Sequence, residues 1–135
     1  MRNGRQQAGR HRKRDMTKIH LGAVSDFDEN KAKGFDLNNT GADTFFVVRK
    51  GNEIFAYLDK CPHYNDVSLP WKRHMYLDNQ SEHIVCAAHG ALFEIEDGYC
   101  FQGPCLGQTL RKVPIEVSSD NDIWIRLATI EEFNL

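Results

Sequence analysis

The sequence predicts an all-β fold of eight or more short strands. Several Val/Ile/Phe-rich runs supply the strands, while ten glycines and four prolines supply the breaks between them. The clearest run is "TFFVVRKGNEIFAYLDKC" (44–61), where two β-rich stretches flank Lys50-Gly51-Asn52. Gly and Asn tolerate the positive φ that a tight hairpin turn demands, so this stretch is expected to be a hairpin.

Before it, "KIHLGAVSDF" (18–27) mixes apolar and polar positions as a first strand and turn would, and "KAKGFDLNNTGAD" (31–43) reads as extended chain broken by turn residues. After it, "HIVCA" (83–87), "ALFEIED" (91–97) and "YCFQ" (99–102) are short strands separated by His-Gly and Asp-Gly. "LRKVPIEVSSDNDIWIRLA" (110–128) gives two more around a polar turn, with Ile115, Val117, Ile123 and Ile125 alternating toward one face and Trp124 expected in the core. The closing "TIEEFNL" is expected to form one helical turn.

A chain of 135 residues with 41% hydrophobic and 27% charged side chains is long enough for one domain with a real core, placed here at residues 16–135. The net charge of −2 hides an asymmetry. "MRNGRQQAGRHRKR" holds six Arg/Lys and no acid, whereas Met16–Leu135 carries 11 basic against 18 acidic residues, a net of −7. Residues 1–15 therefore read as a disordered basic arm, and Met16 is an alternative start. No apolar stretch follows the arm as a secretory or twin-arginine signal requires, and no run approaches the roughly 18 residues of a bilayer span. A cytoplasmic protein is expected, with neither a membrane nor nucleic acid as partner. In that reducing compartment four cysteines argue for metal or redox chemistry rather than disulfides.

Cys61-Pro62-His63 and Cys86-Ala87-Ala88-His89 are the candidate ligands, separated by 22 residues. Pro62 fixes the backbone between the first two, and Gly90 permits a tight turn after the last. Two thiolates and two imidazoles suit zinc or an iron–sulfur cluster. Zinc fingers usually pair like with like; here each loop offers one of each, as a two-iron cluster with both thiolates on one iron and both imidazoles on the other would use them. Cys100 and Cys105 are surplus to this set and read as buried thiols near the cluster. His11, His20, His74 and His83 read as surface or packing residues. "PWKRH" (70–74) offers Trp71, Lys72 and Arg73 either as an exposed basic-aromatic tip that meets a partner or as an inward-packing hairpin.

"CPH", "CAAHGALF" and "GYCFQGPCLGQTL" resemble the two cluster-binding boxes and the covering glycine–proline loop of Rieske [2Fe–2S] proteins, over roughly residues 53–127. The resemblance implies an antiparallel β sandwich with a small cluster-binding subdomain formed by two loops, at about residues 58–106. It implies a [2Fe–2S] cluster on Cys61, His63, Cys86 and His89, with Gly103-Pro104 shielding it. It also implies a one-electron carrier, rather than an enzyme, that passes electrons from a flavin reductase to a terminal oxygenase or similar acceptor. High-potential members of the family carry an extra cysteine in each box, a serine after the His-Gly pair and a tyrosine two residues later. This chain has Tyr64 and Asn65 after His63, Ala87 and Ala88 between the second-box ligands, and Ala91 and Phe93 at the last two positions. With fewer donors to sulfur, a low-potential ferredoxin type is expected. Two other readings remain at this stage: a Rieske-like small subunit of a reductase such as assimilatory nitrite reductase, and a structural zinc module.

Overall fold

The computed structural model describes residues 17–62, 68–88 and 90–135; the expected basic arm, His11 and most of the loop after Pro62 lie outside them. Nine strands form three antiparallel sheets of three strands each among the described residues. The first sheet joins β1 (Lys18–Ala23), β9 (Asp122–Arg126) and the short β8 (Glu116–Val117). The second runs β2 (Lys31–Phe35), β3 (Phe45–Lys50) and β4 (Glu53–Leu58); the third runs β5 (Ile84–Cys86), β6 (Ala91–Phe93) and β7 (Cys100–Gln102). The β3–β4 hairpin has the expected place, pairing Lys50 with Glu53 across Gly51-Asn52. Of the two turn residues Gly51 takes the positive φ, at +62°.

Strand β3 divides the interior. Its "FFVV" is a continuous apolar run because both faces are buried. Phe46 and Val48 point into one core with Tyr57, Leu69, Tyr76, Ile84, Phe93 and all four cysteines. Phe45 and Val47 point into the other, with Val24, Phe27, Ile123, Ile125 and Leu135. Each fully buried side chain of this size contributes about 1.5–3 kcal/mol. Phe46 stacks on Tyr76 with ring centroids 4.0 Å apart, and Phe35 stacks on Phe45 at 5.1 Å, so aromatic pairs line both sides of the partition.

Two expectations need correction. Val117 does not join the inward face: β8 is a two-residue edge strand, and Val117 is 46% exposed while Ile123 and Ile125 are fully buried. The terminal segment is longer than one turn: helix α1 spans Leu127–Phe133 and ends on Asn134, which takes the left-handed conformation that caps a helix without a glycine. That helix folds back so that Leu135 lies in the second core. Trp124 is buried as expected, although on the opposite face from Ile123 and Ile125. It is covered there by the His20 ring at 4.8 Å and by Lys18.

Gly98 sits where the turn after β6 presses on the first core. It has φ +73°, and an added Cβ would lie 2.9 Å from Tyr57 Cε1 and 3.1 Å from Leu110 Cβ. Gly51 also has positive φ, but a Cβ there meets nothing within 4 Å. Gly51→Ala is expected to cost about 1 kcal/mol for left-handed strain alone, and Gly98→Ala about 1–2 kcal/mol more for the clash. Urea unfolding of both variants checks the difference; equal midpoints would show that the turn has room to move.

Candidate metal centre

Cys61 follows the end of β4 by three residues, and Cys86 closes β5. Both side chains are fully buried in the first core, so two segments far apart in sequence deliver their sulfurs to one apolar region. His63 and His89, the other two expected ligands, lie outside the described residues. Around them the described chain has the shape the loops need. The Gly90 amide donates to the Cys86 carbonyl at 2.7 Å and Gly90 has φ +71°, which closes the turn that returns the chain into β6. Ala87 and Ala88, between the cysteine and the glycine, are exposed.

The two segments are fastened together through Asp59, which sequence reasoning passed over. Its side chain accepts hydrogen bonds from the Leu69 amide at 2.8 Å, from Ser68 Oγ at 3.1 and 3.0 Å, and from Tyr76 Oη at 2.6 Å. Leu69 in turn offers its carbonyl to the Ala87 amide at 2.8 Å. Asp59 stands two residues before Cys61 and Ala87 one residue after Cys86, so this short path spans both cysteine segments. Asp59 is only 6% exposed, and burial pushes its pKa up, an effect that its three hydrogen-bond donors partly offset. Tyr76, itself fully buried, is held far above the usual tyrosine range by burial and by the Asp59 carboxylate. Beyond Tyr76 the network reaches Asp43, which pairs with Arg73 at 2.9 Å. Gly34 makes room for it, since a Cβ there would fall 2.0 Å from Asp43 Oδ2 and 2.9 Å from Tyr76 Oη.

The covering segment 103–108 lies against the second box. A Cβ on Gly103 would come within 2.7 Å of Ala91 Cα, so the glycine permits backbone to rest on backbone. Cys100 and Cys105 are fully buried, as expected, and no disulfide joins any of the four cysteines, all of which are described. Burial, together with the Cys100 and Cys61 sulfurs, pushes the Cys105 thiol up to about 12. The remaining described histidines have packing and surface roles. His20 pairs with Asp122 at 3.0 Å, His74 Nδ1 accepts from the Gly34 amide at 2.9 Å, and His83 lies 3.2 Å from Asp78. Trp71 takes the exposed option left open by the sequence, at 70% exposure, because Leu69 and Tyr76 already fill the inward positions.

Two soft, buried sulfur donors presented from paired loops fit an iron–sulfur group, and comparison with known proteins agrees. The model of the Rieske [2Fe–2S] domain family matches residues 17–120, and the chain belongs to that family. Membership carries with it the [2Fe–2S] cluster and sets the zinc reading aside. No curated protein matches the chain. Solved structures share the fold. The ferredoxin of carbazole 1,9a-dioxygenase from Nocardioides aromaticivorans IC177 is 20% identical with a TM-score of 0.59, covering 82% of this chain and 98% of that one. The Sphingomonas yanoikuyae B1 ferredoxin is 20% identical with a TM-score of 0.59, covering 81% and 97%. A chain in the complex of reduced oxygenase and oxidized ferredoxin in carbazole 1,9a-dioxygenase is 23% identical with a TM-score of 0.60, covering 83% and 94%. Strands β1 to β8 lie within the matched residues, whereas β9 and α1 lie beyond them.

Asp59→Ala strips buried donors of their charged acceptor and is expected to cost about 2–4 kcal/mol, with Tyr76→Phe costing about 1.5–3 kcal/mol. Both should also lower the iron retained per chain, Asp59→Ala more so. Unfolding curves and iron assays check this; wild-type stability and iron content in Asp59→Ala would refute the clamp.

Proposed function

We propose that the chain is a one-electron carrier of the low-potential Rieske ferredoxin type, with its cluster held by Cys61, His63, Cys86 and His89. The observation that carries the reading is the pair of fully buried cysteines brought to one core from two loop-bearing segments, each followed by a histidine in sequence. In this reading residues 16–135 form one domain and the part from about 58 to 106 is the cluster-binding subdomain.

When bound, the cluster supplies a reversible one-electron acceptor. The formal charges of two ferric ions, two sulfides and two thiolates cancel, so the added electron leaves a single negative charge. An all-cysteine centre would become far more negative, which is one reason Rieske potentials run from about −150 to +300 mV and plant-type ferredoxins lie near about −400 mV. The chain's own part is to exclude water and to fix the ligands. Ala91 and Phe93 are fully buried and bring no hydroxyl to the sulfurs, which supports a place near the bottom of the Rieske range.

The partners follow from the same likeness. Two of the similar structures are ferredoxins and another is a complex of oxygenase and ferredoxin, which supports a terminal oxygenase as acceptor. A flavin reductase is the proposed donor. A cytoplasmic location is part of the same reading. Among the described residues no helix is long and apolar enough to cross a membrane.

Protein purified without oxygen is expected to carry about two irons and two sulfides per chain and, on reduction, to show the low average g value of a Rieske centre. A colourless preparation with about one zinc per chain would overturn the reading. Replacing an imidazole with a thiolate makes the centre more negative, so His89→Cys should shift the potential toward the plant-type value of about −400 mV. Redox titration checks it, and an unchanged potential would remove His89 from the ligand set.

A further inference from the structure

Cys100 and Cys105 are accounted for neither as ligands nor as a disulfide, yet they are not placed as ordinary apolar filling. Their sulfurs lie 3.2 Å apart, with the Cys105 thiol donating to Cys100. Cys100 donates in turn to the Gln102 carbonyl at 3.3 Å. A thiol has one hydrogen, so Cys100 spends its own on Gln102 and faces Cys105 only as an acceptor. The other sulfur that Cys105 meets is that of Cys61. All of these sulfurs are fully buried in the first core.

The backbone holds Cys105 in this position. The Gly107 amide donates to the Cys100 carbonyl at 3.0 Å, the Gln108 amide to the Cys105 carbonyl at 2.8 Å, and the Cys100 amide to the Gln108 carbonyl at 2.8 Å. Gly103, pressed on Ala91, fixes the other side of the same loop. A neutral thiol sulfur is a weak acceptor, whereas a metal-bound thiolate is charged and a stronger one. Given the choice between Cys100 and a thiolate at Cys61, the single Cys105 hydrogen goes to Cys61.

We propose that Cys105 is a positioning residue of the redox centre: its thiol donates to the Cys61 sulfur and favours the reduced state, with Cys100 as the competing acceptor that it turns from. This rests on Cys61 being a ligand. The added electron makes the centre more negative, so a donor on its sulfur stabilises the reduced form more than the oxidised form. Removing the donor lowers the potential, and restoring a hydroxyl recovers it.

The test is a redox titration of the loaded protein for wild type, Cys105→Val, Cys105→Ser and Cys100→Ala. Cys105→Val is expected to lower the reduction equilibrium constant by about three- to tenfold, tenfold being about 59 mV for a one-electron couple. Cys105→Ser, with a donor on a similar side chain, should recover at least half of that shift. Cys100→Ala leaves the Cys105 hydrogen for Cys61 alone and should match or exceed the wild-type potential. A Cys105→Val potential equal to wild type, or an equal fall in all three variants, overturns the inference. Should Cys105→Val fail to load, Cys105→Ser decides with pulsed EPR: the exchangeable proton coupled to the reduced wild-type centre should shift its coupling in Cys105→Ser. An unaltered coupling overturns the inference. A wild-type protein without a Rieske signal overturns the ligand assignment and this inference together, whereas a Rieske signal with an unmoved Cys105→Val potential overturns this inference alone.

Discussion

A buried carboxylate is expensive, and the core that holds the four cysteines is arranged around one. Asp59 is almost fully shielded from water, and it is tolerated because Leu69, Ser68 and Tyr76 all donate to it. The same bonds do structural work. They fix the chain two residues before Cys61 to the chain that hydrogen-bonds just after Cys86, so the spacing of the two cysteine segments is set by a polar knot inside an apolar core. Apolar packing alone tolerates sliding; a set of short, directional bonds to one carboxylate does not.

The partition made by β3 explains how so small a domain supports this arrangement. One face of the strand contributes Phe46 and Val48 to the core with the cysteines, and the other contributes Phe45 and Val47 to the core closed by α1. Neither Cys61 nor Cys86 lies in the second core. It gives the β2–β3–β4 sheet a rigid backing, against which β4 and the loop after it present Asp59 and Cys61. The core of the four cysteines and the core that backs the sheet are thereby supplied by opposite faces of one strand.

What the sequence disclosed follows from the range of the interactions involved. The β3–β4 hairpin and the run of short strands were legible because alternation, Gly51 and the Asp-Gly and His-Gly breaks act within a few residues. The cysteines were legible because their spacing is itself the signal, and their burial in one core agrees with it. Asp59 was not legible: its donors lie nine, ten and seventeen residues on, and an aspartate after a strand reads as ordinary loop. Val117 failed for a related reason, since alternation names a face but not whether an edge strand's neighbours extend far enough to cover it. The contact between Cys100 and Cys105 depends on a loop closed by its own backbone bonds, which composition does not reveal.

An electron carrier works best when its ligands move little between redox states, because displaced ligands add to the barrier for each transfer. Three independent restraints converge on the proposed ligand segments here. The Asp59 knot fixes the approach to Cys61, the Gly90 amide closes the turn after Cys86, and Gly103 seats the covering loop directly on Ala91. Each acts through backbone or buried polar groups rather than through long surface side chains, so salt and surface substitution should leave them intact. The exposed apolar groups, Trp71 and Leu106 among them, take no part in these restraints.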